Sequence, residues 1–276
     1  MKGLKLLLAG AVGLPALYLW MLKPGKPRLE RMKAFERQPI AHRGLHDAGA
    51  GIPENSLPAF RRAAEQGYGI EMDVQMTADG KLVVFHDRTL ERMCGADLVL
   101  TKLTYEELQN YRLGGTQERI PLFDEVLKEV DGRVPLVIEM KPDGPCIKAT
   151  AKMCKRMEAY RGLYCMESFH PFCVWWVKRH YPQMLRGQLS MNFFVEESKK
   201  PFYQKLVMTS LMANCLARPD FIAYKHTQKN QFSYWLCRKL FPVENAAWTI
   251  KSQEQMDRAR DTFQMMIFDE FIPRRT

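Results

Sequence analysis

From Pro39 onward, short apolar runs alternate with stretches whose apolar positions recur every three to four residues. The runs at 39–42, 70–75, 82–86, 135–140, 163–168, 185–189, 220–224, 245–249 and 264–268 read as strands. The periodic stretches at 57–66, 105–111, 123–130, 147–159, 171–180, 202–216, 231–240 and 252–260 read as helices. Such alternation predicts a parallel sheet joined by helical crossovers. One pair breaks the rule. Only Met76–Lys81, with its Asp79-Gly80 turn signal, separates 70–75 from 82–86, which is too short for a parallel crossover. Counting 82–86 as a hairpin partner leaves eight strands in series. The pattern therefore predicts an α/β fold, a (β/α)8 TIM barrel with a β-hairpin addition after the second strand. No repeat or linker divides 39–276, so this stretch is expected to be one domain.

The N-terminal 38 residues follow a different pattern. Leu6 to Leu22 is a run of 17 uncharged residues, LLLAGAVGLPALYLWML, at the lower end of what crosses a hydrocarbon core. Tyr18 and Trp20 sit near one end, where amphipathic rings favour an interface. Lys-Pro-Gly-Lys-Pro follows instead of a small-residue cleavage site. The reading is one transmembrane helix with a basic flank over 1–38, anchoring the barrel to a membrane.

Charge sharpens this picture. The net charge is +10, yet residues 1–38 carry eight Lys/Arg against two Glu, so six of the ten excess charges belong to the flank. Two of those cations precede the run and six follow it, which predicts a cytoplasmic barrel by the positive-inside rule. With no helix-borne basic stripe, a nucleic-acid partner is not expected. A mean hydropathy of −0.31 excludes a polytopic membrane protein. The seven cysteines are irregularly spaced without a Cys-x-x-Cys pair and read as reduced thiols. The segment 193–217 becomes almost wholly apolar from Leu206 to Ala217, as a buried barrel helix or as an interfacial patch would.

Polar residues recur at the C-terminal ends of the expected strands. His42 and Arg43 end the first, Glu71 and Asp73 share one face of the second, His86 and Asp87 end the hairpin partner, and Glu139 and Lys141 share a face of the next. In a barrel these ends form the catalytic rim, so residues distant in sequence converge. Three carboxylates offer oxygen alone, which suits a hard cation, Mg²⁺ or Ca²⁺. A divalent cation beside two histidines suits displacement at phosphorus, with the histidines moving protons and Arg43 and Lys141 facing an anionic phosphodiester. His46, His170, His180 and His226 have no ligand-like spacing and read as loop, helix-end or surface residues.

His42-Arg43-Gly44, Pro53-Glu54-Asn55-Ser56, Glu71-Met72-Asp73-Val74, Thr77-Ala78-Asp79-Gly80, Val83-Val84-Phe85-His86-Asp87 and Ile138-Glu139-Met140-Lys141 together resemble the glycerophosphodiester phosphodiesterase family. Thinner echoes follow at Ser168-Phe169, Trp248-Thr249 and Asp269 with Pro273. The resemblance implies a TIM barrel that hydrolyses glycerophosphodiesters, a small-molecule substrate, to glycerol 3-phosphate and an alcohol. It implies Glu71, Asp73 and Glu139 as metal ligands and His42 and His86 as the acid/base pair. Arg43, Asn55 and Lys141 would line the phosphate site, with Phe169 and Trp248 at the rim as substrate contacts. The chain departs from the family's pattern at Ile250-Lys251 and over Phe263–Asp269, which bears on the headgroup pocket. Two rival readings stay open: a phospholipase C- or D-like enzyme acting on intact phospholipid, and a catalytically silent membrane scaffold.

Overall fold

A computed structural model describes residues 13–26, 28–36, 38–141 and 143–274. Its strands, among the described residues, are β1 (Ile40–Ala41), β2 (Gly69–Met76), β3 (Leu82–Val84), β4 (Leu136–Met140), β5 (Tyr164–Ser168), β6 (Arg186–Ser190), β7 (Phe221–Lys225), β8 (Glu244–Ile250) and β9 (Met265–Phe268). The order β1-β9-β8-β7-β6-β5-β4-β2-β3, with β1 also paired to β2, closes eight parallel strands into a barrel. β3 lies antiparallel on β2, matching Val84 to Val74 and Leu82 to Met76. It takes the edge of β2 that β1 leaves free beyond Ala41. The barrel and its hairpin are thus as the hydrophobic pattern predicts.

Two helical expectations change. The segment 105–111 yields only Tyr105–Leu108, inside an excursion between β3 and β4 that has its own core of Phe85, Leu90, Leu100, Leu108, Leu113 and Ile120. The segment 202–216 breaks into Phe202–Thr209 and Asn214–Ala217, with Leu211 between them at φ 56°.

Inside the barrel the lower layers are apolar: Ile40, Val137, Cys165, Leu185, Leu189, Phe221, Ala223, Ala246, Met265 and Ile267 pack together. Gly187 is needed there, because a Cβ would come within 2.2 Å of the Phe221 ring. The N-terminal mouth is plugged by the helix Leu29–Glu36, whose Met32 and Phe35 join this interior cluster. Burying a ring such as that of Phe35 contributes about 1.5–3 kcal/mol, so this helix is part of the barrel's core.

The expected span over 6–22 falls partly outside the described residues, which begin at 13. Residues 13–22 are helical and lie against the barrel's flank. Leu22 is fully buried, its carbonyl accepts the Asn214 amide at 2.9 Å, and Arg218 sits over the Trp20 ring at 5.3 Å. Among the described residues no helix is long and apolar enough to cross a membrane.

Candidate active site

Strand alternation decides which side chains reach the rim. On β2, Ile70, Met72 and Val74 face the surrounding helices, so Glu71 and Asp73 face inward. On β4 the same alternation sets Glu139 above Val137, and on β5 it sets Glu167 above Cys165. The register pairs Asp73 with Glu139 and Glu139 with Glu167, so three carboxylates stand abreast across β2, β4 and β5. Glu71 stands one layer lower on β2. One oxygen each from Glu71, Asp73 and Glu139 lie within 4.8 Å of one another.

The turn after β1 completes this wall. Arg43 adopts φ 55°, which aims its backbone N–H at Glu71 Oε2, 3.0 Å away. Gly44 follows at φ 81°, where a Cβ would also meet the Ala59 backbone at 2.9 Å. A His-Arg-Gly sequence is what this turn requires. Asn55, also left-handed at φ 54°, donates its amide to Asp73 Oδ2 at 2.9 Å.

A cavity of about 120 Å³ opens on these groups, lined among others by His42, Arg43, Glu71, His86, Glu139, Lys141, Phe169 and Trp248. Eight of the sequence-predicted residues therefore share one wall. Asp73 lies behind it, almost fully buried, and Asn55 sits beyond Asp73, outside the lining. Phe169 meets Trp248 edge to face at 5.5 Å and closes one side. Ser168, next to the inward Glu167, faces the helix layer and donates to the Met140 carbonyl at 2.6 Å, a bond within the scaffold.

Each histidine is held from behind. His42 Nδ1 lies 2.9 Å from Asp269 Oδ2, leaving Nε2 toward the cavity, 4.0 Å from Glu71. His86 Nδ1 lies 2.6 Å from Asp87 Oδ1. Asp87 is bonded in turn by Arg92, which also bonds Glu54, and Glu54 bonds Arg43. Burial pulls the His42 ring below its ordinary value and outweighs the opposing bond from Asp269, so the imidazole is neutral at pH 7. Burial pushes Asp269 upward, but His42 and His46 together hold it well below the usual carboxylate range. Asp87 is held to about 2 against its burial by His86 and Arg92.

The carboxylates are an electrostatic problem without a cation. Burial, then Asp73 and Glu139, pushes Glu71 well above its ordinary value. Glu139 is raised by burial and by Asp73, although Lys141 opposes this. Glu167 is raised by burial, then by Glu139 and Asp73. Lys141 reaches Glu139 at 3.1 Å and Asp73 at 3.3 Å, and Arg43 Nε lies 3.4 Å from Asp73. Four buried carboxylates thus face two fixed cations. Asp73 Oδ1 and Glu139 Oε1 share the single Lys141 ammonium, and Glu167 Oε2 is sealed from solvent without a hydrogen-bond partner. A divalent cation fits this donor set, since Glu71, Asp73 and Glu139 each offer a hard oxygen and the cation balances the excess negative charge.

Sequence reading missed Glu167, His46 and the partner role of Asp269. Glu167 sits among apolar neighbours one residue before the Ser168-Phe169 echo, and only the register with Glu139 shows where it points. His46 Nε2 lies 2.8 Å from Asp269 Oδ1, so a residue read as a loop histidine is a second brace of that carboxylate.

Comparison with known proteins gives the family and the fold. The sequence model of the "Glycerophosphoryl diester phosphodiesterase family" matches residues 42–231. A glycerophosphodiester phosphodiesterase of Caldanaerobacter subterraneus subsp. tengcongensis is 32% identical over 242 residues, 79% of this chain and 88% of its own length. Mouse glycerophosphodiester phosphodiesterase 1 is 38% identical over 117 residues, 38% of this chain and 34% of its own. Among solved structures, a phosphodiesterase of Oleispira antarctica in complex with the product sn-glycerol-3-phosphate shares the fold with a TM-score of 0.66 at 21% identity. It covers 84% of this chain and 92% of its own. From β1 to the helices beyond β7, then, both the residues at the rim and the sequence as a whole lead to one assignment: the chain belongs to the glycerophosphoryl diester phosphodiesterase family, whose members are phosphoric diester hydrolases.

Proposed function

We propose that this chain hydrolyses glycerophosphodiesters to glycerol 3-phosphate and an alcohol, with a divalent cation, Mg²⁺ or Ca²⁺, held by Glu71, Asp73 and Glu139. The observation that carries the reading is the buried row of carboxylates facing two braced histidines in one cavity. The cation, when bound, supplies positive charge to a phosphoryl oxygen. Lys141 and Arg43 add fixed cationic charge on the same wall and orient the phosphodiester. His42, neutral and with Nδ1 engaged by Asp269, receives a proton at Nε2 from the attacking hydroxyl. His86, fixed through Nδ1 by Asp87, gives its Nε2 proton to the departing alkoxide. Asn55 acts by orienting Asp73 and not by touching substrate. The bound product in the Oleispira antarctica neighbour supports glycerol 3-phosphate as one product. A metal-by-substrate matrix on the full chain tests this: activity on at least one glycerophosphodiester with Mg²⁺, Ca²⁺ or Mn²⁺ is expected, abolished by EDTA. No activity across the matrix would refute the proposal.

A second reading concerns where the substrate resides. The segment after β6 exposes Phe194, Val195, Phe202 and Tyr203, the last two by 71% and 65%. An apolar cavity of about 400 Å³ between Phe172, Tyr203, Val207 and Met208 shares Phe169 with the catalytic cavity. Contacts from Tyr18 to Ser210, Leu22 to Asn214 and Gly25 to Pro219 run in the same direction. The chain from 210 to 219 descends from the rim toward the start of β7, so residue 13 points toward the rim. These features favour a membrane-facing rim, with the N-terminal segment anchoring the barrel at the cytoplasmic side and lipid-derived phosphodiesters as substrates. Replacing Phe202 and Tyr203 by Ser should then lower the rate on vesicle-embedded phospholipid severalfold more than the rate on glycerophosphocholine. Equal losses on both would sink this reading.

A further inference from the structure

Irregular spacing makes the seven cysteines read as reduced thiols, and the fold gathers two of them beside a histidine. Cys146 opens the helix Cys146–Met157 after β4, and Cys173 lies in the first turn of the helix Pro171–His180 after β5. The two helices pack against each other, the Cys146 thiol meets the Cys173 thiol, and His170, the residue before the second helix, brings its ring against Cys146. One sulfur from each cysteine and one ring nitrogen of His170 lie within 4.8 Å of one another. Both cysteines are buried, and His170 Nδ1 is sealed from solvent without a hydrogen-bond partner. The polar neighbour His170 has there is the Cys146 thiol, a weak hydrogen-bonding group that leaves a buried imidazole nitrogen poorly satisfied. Other cysteines are accounted for differently: Cys154 meets the Met184 sulfur at 3.8 Å, Cys237 meets the Leu22 carbonyl at 3.6 Å, and Cys165 packs in the barrel interior.

We propose that Cys146, His170 and Cys173 form a second metal site, taking Zn²⁺ through two sulfurs and one imidazole nitrogen. Two thiolates and an imidazole are a zinc donor set with a fourth position left for a water or hydroxyl. The all-oxygen set of Glu71, Asp73 and Glu139 selects a hard cation, so the two sites sort metals by donor softness. Cys146 at a helix N-terminus is placed where the thiolate that a metal needs is favoured. The position suggests the role. Lys141, just past β4, and Phe169, just past β5, both line the catalytic cavity, and Cys146 and His170 follow them in the chain. An ion joining Cys146 to His170 would staple two rim loops together.

The test is titration of untagged, reduced full-length protein with Co²⁺ as a spectroscopic stand-in for Zn²⁺. One equivalent should give a thiolate-to-metal charge-transfer band that Zn²⁺ displaces. The band should persist in Glu71→Gln, where the carboxylate site is impaired, and vanish in Cys146→Ser and Cys173→Ser. Should the serine variants fail to fold, His170→Gln takes their place, its ring being only part-buried, and should weaken or remove the band. No thiolate band in the wild-type protein would overturn the proposal, as would a band that survives every one of these variants. Recovery of a Cys146–Cys173 disulfide from the native protein would overturn it as well.

Discussion

Replacing His42 by Gln lowers kcat by about 10²–10⁴-fold, the range for loss of a positioned general base, while the protein keeps its fold and its cation. His42 lines the cavity without joining the core clusters, so little packing is lost. The pH profile carries more information than the size of the loss. Burial sets the ring below its ordinary value, so the acidic limb of kcat/KM should fall below about pH 6.5. Asp269 opposes burial by bonding Nδ1. In Asp269→Asn, whose side chain can still accept from Nδ1, that limb should move to still lower pH while kcat drops, because the carboxylate that stabilises the charged ring is gone. A His42→Gln enzyme within tenfold of wild type would remove His42 from the chemistry, and an unmoved limb in Asp269→Asn would remove the brace.

Glu71→Gln is expected to do two opposite things: abolish cation-dependent turnover and stabilise the cation-free protein. Glu71, Glu139 and Glu167 are raised above their ordinary values in the fold, so the folded chain holds protons that the unfolded chain has released above about pH 4.5. Stability of the cation-free protein therefore falls as pH rises through the folded values. Asp73 and Asp269, held low, have the opposite sign, but their contribution is complete above about pH 4–5. His42, lowered, costs stability at low pH, and that cost is relieved as pH rises to about 6.5. Above pH 7 the raised glutamates add a downward slope, and the difference between wild type and variant isolates the share of Glu71, because thiols such as Cys146 titrate alike in both. In EDTA, Glu71→Gln should have the higher Tm, by about 2–4 °C per kcal/mol of relieved repulsion, and the shallower slope. The Gln carbonyl can still accept the Arg43 N–H that Glu71 now accepts. Adding Mg²⁺, Ca²⁺ or Mn²⁺ should raise the Tm of wild type, more so at higher pH because binding expels a proton, and leave the variant nearly unmoved. A wild type whose Tm in EDTA is flat from pH 7 to 9 and indifferent to the variant would contradict the reading of these carboxylates as a strained cation site.

Legibility in sequence follows the range of the interaction. The nine strands, the hairpin and the barrel count were readable because strand alternation and turn chemistry are local, and eight serial parallel strands leave few closures. Eight of the predicted site residues share one cavity for the same reason: they sit at strand ends, and a barrel brings strand ends together. What sequence could not reach depended on partners far along the chain. Asp269 braces His42 across 227 residues, and Glu167 matters because β5 pairs with β4 in one register and not another. Cys146 and His170 stand at the starts of two helices, and their meeting is decided by helix packing. The basic flank shows the limit most clearly. Its charges read as an orientation signal, yet Arg28 bonds Asp220 at 3.2 Å and the Pro182 carbonyl, Arg31 bonds the Gln183 carbonyl, and Met32 and Phe35 just beyond them plug the barrel. Periodicity and strand-end chemistry by themselves determined the fold and the class of reaction, since both are carried by neighbours along the chain. Only the tertiary structure decided which groups brace the histidines and carboxylates, and what the flank does, because those bonds form between residues that meet only once the barrel has closed.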